Sequence, residues 1–239
     1  MLANPLFKAG RFGYVVKNII EFLMTLDKQI AEILLDTGSV KVSLDPAFTF
    51  TSGLKSPIYC DNRRLITHVD ARDLIVQGFI DKTQELGWDF DAVAGTATAG
   101  IPWAAFVADK LKKPMVYIRP EPKGHGGGKQ VEGDGELIRG KRVLIVEDLF
   151  STGGSSIRSA DAVIKELEGE VVGILAIFQY GMQEATDAFE ASGYPNAALS
   201  NVHVLLDTAL ERGDLPQEDV DKILPFLDDP SSWFDNLNS

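Results

Sequence analysis

Val143-Leu144-Ile145-Val146-Glu147-Asp148-Leu149-Phe150-Ser151-Thr152-Gly153-Gly154-Ser155-Ser156-Ile157 is the stretch whose reading decides the fold. Its first half is an apolar run of the kind a strand needs when both of its faces are covered. Its second half is small and polar, and it leads into a helix over Ser156 to Leu167 with an apolar stripe of Ile157, Ala160, Ile164 and Leu167. A loop of Ser, Thr and Gly between a strand and a helix turns several backbone N–H groups toward one point, where the helix dipole favours an anion. Gly153 and Gly154 belong to that turn, and the hydroxyls of Ser151, Thr152 and Ser155 add donors. The segment is not a Walker loop, since no Gly-Lys-Ser/Thr follows, and it is not G-x-G-x-x-G. Glu147 and Asp148 would weaken a bare phosphate site, but they suit sugar hydroxyls. They can accept hydrogen bonds from a ribose 2′-OH and 3′-OH while the cradle behind them holds a 5′-phosphate, and they offset positive charge developing on the ring.

Outward from this segment, short apolar runs alternate with helix-patterned stretches, the rhythm of a parallel sheet wrapped by helices. Strands are expected at Ala92 to Gly95, Met115 to Ile118, Arg142 to Val146, Val171 to Phe178 and Val202 to Leu205. Helices are expected at Ile101 to Leu111 and Asp187 to Ser192, and at Asp70 to Leu86, where Leu74, Phe79 and Ile80 face the sheet. Residues 43 to 66 read as strands and turns forming a cap, and Pro216 to Leu224 as a short helix with Pro in its first turn. The tail, 228–239, is polar enough to be loose. An amphipathic pattern begins at Met24, with Leu26, Ile30, Ile33 and Leu34 at helical spacing. Residues 1–23 are then an upstream extension or an extra helix, and they lack the uninterrupted apolar run of a signal peptide.

The 239 residues are 45% hydrophobic, which is enough for one substantial core and one catalytic α/β domain over 24–227. A formal net charge of −12 argues against nucleic acid or an anionic membrane as the main partner. The single cysteine, Cys60, allows no intrachain disulfide and no thiolate zinc cluster, and the cytoplasm is the expected compartment. Cys60 is expected to pack in a strand, and Trp88, Trp103 and Trp233 to serve as core or cover. His68 and His203 have no partner acid at ligand-like spacing.

The strand, paired acids and Ser/Thr-Gly loop of 143–157 resemble the signature of the type I phosphoribosyltransferases. That resemblance implies a central, mostly parallel sheet flanked by helices, with a small N-terminal cap or hood. A second segment, Arg119-Pro120-Glu121-Pro122-Lys123-Gly124-His125-Gly126-Gly127-Gly128-Lys129, follows a strand and holds nothing able to pack a core. A mobile basic loop can bind pyrophosphate and then release it. Arg119 and Lys123 would neutralise the leaving group, and His125 would donate a hydrogen bond or proton to it. Lys-Gly-His-Gly is similar to the catalytic loop of orotate phosphoribosyltransferases, which reaches into the neighbouring subunit's site. The resemblance therefore implies a homodimer in which the 119–129 loop acts across the interface. Pro120 stands where many members have lysine.

Phe48-Thr49-Phe50-Thr51-Ser52-Gly53-Leu54-Lys55-Ser56-Pro57-Ile58-Tyr59-Cys60-Asp61-Asn62-Arg63 is similar to the Ser-Gly-x-x-Ser-Pro-x-Tyr-x-Asp-x-Arg stretch of the same family. Taken by itself it is a Gly turn, Ser-Pro and a strand, presenting polar groups such as Lys55 and Tyr59 to a flat anionic base. Gly95-Thr96-Ala97-Thr98-Ala99-Gly100-Ile101-Pro102 follows a strand and opens a helix, so Thr96 and Thr98 sit where backbone amides can approach pyrophosphate. It resembles the family's pyrophosphate loop. Ala99 and Thr51 replace common lysines there and upstream, and Tyr180 stands where some members have an arginine for the orotate carboxylate.

The resemblance, which covers roughly Met24 to Leu227, implies transfer of the phosphoribosyl group from phosphoribosyl pyrophosphate to orotate. Lys123, His125 and Asp148 are the expected catalytic residues. Mg2+ is the expected cofactor, held mainly by pyrophosphate and ribose oxygens, so no metal-binding protein residues are expected. The rival readings are a phosphoribosyltransferase for a purine or uracil, and a regulator that senses phosphoribosyl pyrophosphate and binds DNA or RNA. The latter needs a basic face that this acidic chain lacks.

Overall fold

A strand covered by helices on both faces has no polar side to alternate, and the central sheet is built from such strands. The computed structural model describes residues 25–50, 53–122 and 128–237. Its first element is helix α1 (Leu26–Asp36), followed by the cap strands β1 (Val40–Val42), β2 (Phe48–Thr49), β3 (Lys55–Ser56) and β4 (Ile58–Cys60). β1 pairs antiparallel with β4, and β2 with β3. A 3-10 turn (Asn62–Thr67) and α2 (Val69–Glu85) lead into β5 (Ala92–Thr96), α3 (Gly100–Leu111), β6 (Met115–Ile118) and β7 (Val131–Glu132). A second 3-10 turn (Gly135–Ile138) precedes β8 (Arg142–Phe150), α4 (Gly154–Leu167), β9 (Glu170–Gln179), α5 (Gln183–Ser192) and β10 (Asn196–Asn201). Helices α6 (Val202–Arg212), α7 (Gln217–Ile223), α8 (Pro225–Asp228) and α9 (Trp233–Leu237) follow.

The six-stranded sheet runs in the order β10-β9-β8-β5-β6-β7, parallel throughout except for β7, which is antiparallel to β6. Alternate residues of each strand feed opposite layers, as the two-residue period of a strand requires. Leu144, Val146, Leu175 and Ile177 face a core shared with α1, α2, α3 and α6, while Val143, Ile145, Ile174 and Ala176 face α4 and α5. The cap and the last helices join the first of these cores through Val40, Ile58, Leu65, Phe226 and Trp233.

The expected strands of the sheet interior are present: β6 falls on Met115–Ile118 as expected, while β5, β8 and β9 run past their expected ends. Val202–Leu205 is a correction: it is the first turn of α6, and the strand is the preceding Asn196–Asn201. An apolar run that short reads equally as strand or helix. Here the Asn201 side chain caps the helix by accepting from the Val204 N–H at 3.1 Å, and Val202, Leu205, Leu206 and Ala209 are buried at helical spacing. Ile164 is a second correction, since it is 47% exposed and the buried face of α4 runs through Ser156, Ser159, Ala160, Val163 and Leu167.

The tail is the third correction. Asp229 accepts from the backbone N–H groups of Ser231 and Ser232, both at 3.2 Å, and this polar turn carries α9 back onto the protein. Trp233 is 3% exposed, packs edge-on against Phe226 with centroids 5.6 Å apart, and donates Nε1–H to the Lys222 carbonyl at 2.7 Å. The Lys55 ammonium of the cap lies 5.6 Å from the centroid of the Phe234 ring. The choice between an extension and an extra helix at 1–23 falls outside the described residues.

Removing an aromatic side chain this well enclosed leaves a cavity as well as losing its burial. Trp233→Ala is expected to lower unfolding stability by about 3 kcal/mol or more in urea titrations. A loose tail would leave the titration midpoint where it was.

Candidate active site

The chain leaves β5 through α3 toward β6, and leaves β8 through α4 toward β9, so the connections diverge from two neighbouring strands. A crevice opens beyond the carboxyl ends of strands at such a reversal, and ligands of open α/β sheets bind there. The crevice is closed at its floor by an unusually close approach. A Cβ on Gly100 would lie 2.4 Å from Thr96 Oγ1 and 2.5 Å from the Val146 carbonyl oxygen, so only glycine fits where α3 starts. Thr96, buried, donates its hydroxyl across the crevice to that same carbonyl at 3.3 Å. The turn then passes through a cis Ala97–Thr98 peptide and leaves Thr98 exposed at the rim.

Glu147 is 6% exposed, and its carboxyl receives the Ser156 hydroxyl at 3.2 Å and the Asp148 backbone N–H at 3.0 Å. Burial pushes both carboxyls up, and for Glu147 repulsion from Asp148 and a hydrogen bond to it add to the effect. The same contact, together with the charge of Arg63, acts downward on Asp148. Desolvation therefore keeps a proton on Glu147 to higher pH than on a free carboxyl, and the two acids titrate as a coupled pair.

Past the acids, Ser151 and Thr152 lead to Gly153, whose φ of 78° is the left-handed conformation that favours glycine. A Cβ there would also lie 2.9 Å from the Phe189 ring. The turn delivers Gly154 and Ser155 into the first turn of α4, and among the described residues no side chain caps that helix. Its leading N–H groups remain available to an anion, and Ser155 is exposed beside them.

Ser151 and Thr152 also line a cavity of about 400 Å3 that continues the crevice under the cap. Its walls are Phe50, Leu54, Tyr59 and Cys60 from the cap, Leu149, Tyr180 and Met182 from the sheet ends, Glu184 from the first turn of α5, and Pro230 from the segment before α9. Tyr180 is 2% exposed; burial pushes its hydroxyl up, partly countered by a hydrogen bond with the Cys60 backbone. The cavity is mostly apolar, with hydroxyls and the Glu184 carboxylate among its polar groups, a lining suited to a planar ring with polar substituents.

Of the residues singled out in the sequence, Thr96, Glu147, Asp148, Ser151, Thr152 and Tyr59 meet around this crevice and cavity, with Gly153, Gly154 and Ser155 forming the turn beside them. Lys55 is placed elsewhere: its ammonium donates to Thr49 Oγ1 at 2.8 Å and does not line the cavity. Arg119, at the end of β6, has its Nη1 3.5 Å from Glu132, and its carbonyl accepts from Gln130 Nε2 at 3.1 Å. Lys123 and His125 lie outside the described residues. Asn62, Ser156 and Tyr180 are site residues that the motifs did not single out for these roles. Ser156 follows the loop by one helical step, whereas Asn62 and Tyr180 reach the site only through tertiary contact.

Among the described residues no group of three His, Cys, Asp or Glu side chains could cage a metal ion, and no helix is long and apolar enough to cross a membrane. A hard divalent cation that keeps its waters fits the site only as a companion of an anionic ligand, with the Asp148 carboxyl beside it.

Comparison with known proteins places the same features in a family. The phosphoribosyl transferase domain profile matches residues 67–208. The orotate phosphoribosyltransferase of Halalkalibacterium halodurans is 44% identical over 207 residues, 87% of this chain and 97% of that protein. The orotate phosphoribosyltransferase of Listeria monocytogenes is 41% identical over 210 residues, 88% of this chain and 99% of that one. The crystal structure of orotate phosphoribosyltransferase from Aeropyrum pernix superposes with a TM-score of 0.66 at 30% identity, covering 77% of this chain and 98% of that one.

The buried acids give a pH-dependent prediction. Glu147 is raised from 4.5 to about 8 on folding, so between those values the native protein holds a proton that the unfolded chain has released. Its contribution to stability is therefore greatest below the lower value and is lost as pH rises through the upper one. In Glu147→Gln this titration is absent, so melting temperatures of the ligand-free variant should gain on the wild type as pH increases across that window. Parallel curves for the two proteins would contradict the assignment of the proton.

Proposed function

The chain belongs to the orotate phosphoribosyltransferase family of the type I phosphoribosyltransferases, and we infer that its site transfers the 5-phosphoribosyl group of phosphoribosyl pyrophosphate to orotate. The products are orotidine 5′-monophosphate and pyrophosphate, and the step belongs to pyrimidine biosynthesis. The observation that carries this reading is the continuity of three parts: an uncapped helix start, a pair of acids of which Glu147 is buried and Asp148 half-buried, and a largely apolar cavity walled by the cap. They match in order a 5′-phosphate, a ribose and a flat base.

In this scheme the N–H groups and hydroxyls of Ser151 to Ser155 hold the 5′-phosphate. The 96–100 turn, with Thr96 and Thr98, lies against the pyrophosphate. Asp148, ionised, accepts from the ribose hydroxyls and lies next to the positive charge that grows at C1′ as the bond to pyrophosphate lengthens. Glu147, holding its proton, shares the ribose contact without adding a second negative charge. Orotate occupies the cavity beside Tyr59 and Tyr180, its ring nitrogen directed at C1′. Catalysis is then positioning and electrostatics, with no covalent enzyme intermediate.

Mg2+ belongs to the same proposal: bound mainly by pyrophosphate and ribose oxygens, it would neutralise the leaving group. The proposal also assigns Arg119, Lys123 and His125 to the leaving pyrophosphate, and Lys55 to the cap that covers the base. It includes a homodimer in which the 119–129 loop serves the other subunit's site, supported by the Lys-Gly-His-Gly run at 123–126. An acidic chain with one cysteine suits the cytoplasm.

The test is a spectrophotometric assay of base consumption with phosphoribosyl pyrophosphate, with and without Mg2+, offering orotate, uracil, adenine and hypoxanthine separately. Magnesium-dependent loss of orotate alone is expected, and consumption of another base in its place would overturn the substrate. Asp148→Asn should lower kcat by about 10²-fold, the scale of losing one group that faces transition-state charge. Lys123→Ala should lower turnover far more than affinity for orotate, and unchanged turnover in that variant would remove the loop from the mechanism.

A further inference from the structure

The first residue of the 3-10 turn after β4 is Asn62, a side-chain amide with no exposed surface. Its Nδ2 donates to the main-chain carbonyl of Asp148 at 2.6 Å, a contact between residues 86 apart in sequence. Its Oδ1 accepts from Cys60 Sγ at 3.3 Å, and Cys60 is part of the cavity wall. A buried amide satisfied at both ends by two different parts of a site is a rigid link, because losing either partner leaves a polar atom without water.

The strand pairing explains why the link falls at this point. β5 pairs with β8 only as far as Val146, so Asp148 stands beyond the ladder on that side. The Asp148 peptide is held there by side chains, its N–H by Glu147 Oε1 at 3.0 Å and its carbonyl by Asn62. The direction in which the Asp148 carboxylate projects is therefore set partly by a residue of the cap.

We propose that Asn62 is a positioning residue for phosphoribosyl transfer, fixing the main chain of Asp148 from the cap so that the wall of the base cavity and the ribose-binding acid are held in one geometry. The proposal rests on the function inferred above. Asn62 itself touches neither substrate, and it acts through Asp148.

Asn62→Asp and Asn62→Ala separate this role from a general contribution to folding. Carboxylate and amide have nearly the same shape, but a carboxylate oxygen can meet a carbonyl oxygen at 2.6 Å only when it carries the proton. The other charged or titratable groups around position 62 are Cys60, Asp61, Arg63, Glu147, Asp148 and Tyr180. All are present in both proteins; an ionised carboxylate in Asn62→Asp would in addition repel the carboxylates of Glu147 and Asp148, and that repulsion too is relieved as pH falls.

The experiment is kcat and KM for both substrates across the pH range in which each protein remains folded by melting curve. Asn62→Ala should lose about tenfold or more in kcat, with KM for phosphoribosyl pyrophosphate shifted by no more than about threefold. For Asn62→Asp, the ratio of its kcat to that of wild type should climb as pH falls. A ratio independent of pH, or a loss that merely tracks the unfolded fraction, would overturn the proposal even if Asn62→Ala fails to fold. Wild-type turnover in the same assay keeps the two readings apart. Active wild type with a flat Asn62→Asp ratio removes only the role of Asn62, whereas inactive wild type removes the inferred function and this role with it.

Discussion

Everything in the site depends on how closely the turn after β5 lies on the end of β8. Gly100 permits that approach, and the Thr96 hydroxyl bonded to the Val146 carbonyl fixes it. With a larger residue at position 100, the two strand ends would have to separate, water would reach Glu147, and the low local polarity that keeps a proton on it would be lost. The crevice, the desolvated acids and the placement of the 96–100 turn against a prospective pyrophosphate are thus three results of one steric allowance.

A net charge of −12 is compatible with the proposed binding of highly anionic ligands, because in that scheme the short-range features of the site suffice. Attraction comes from oriented N–H dipoles at the start of α4 and from hydroxyls, which act at contact distance and are little affected by distant surface charge in physiological salt. One of the two acids facing the crevice is neutral, and the other has Arg63 nearby. The local balance at the site therefore differs from that of the whole surface.

How much of this was legible in the sequence follows from the range of the forces involved. The strand read as Arg142 to Val146, which continues to Phe150, and the helix read from Ser156, which starts at Gly154, were readable because burial on both faces and a Gly-rich turn leave local marks. The run at Val202 was not, because so short a stretch, Val202, Val204 and Leu205 around His203, suits either geometry and only the Asn201 cap decides for helix. The tail was misread because its polar residues, which build a turn around Asp229, outnumber the aromatic residues that the turn carries inward. The cradle and the paired acids are contiguous in sequence and were found. Asn62 lies inside the 48–63 motif and Tyr180 at a flagged departure from the family, but the contacts they make across the cap and sheet leave no local mark.

The way the last helices grip the cap has a consequence for how base preference can be altered. The segments proposed to face the base are concentrated in 48–60, while those proposed to face sugar and phosphates lie in 96–155, an arrangement that invites exchange of one against the other between sibling enzymes. Pro230 forms part of the cavity wall, and Phe234 lies beneath Lys55, so the cap is not a detachable unit. A chimera that grafts a foreign cap onto this sheet would inherit a mismatched strap. The smallest exchangeable unit consists of two pieces far apart in the gene, 40–67 together with 225–237, transplanted as a pair.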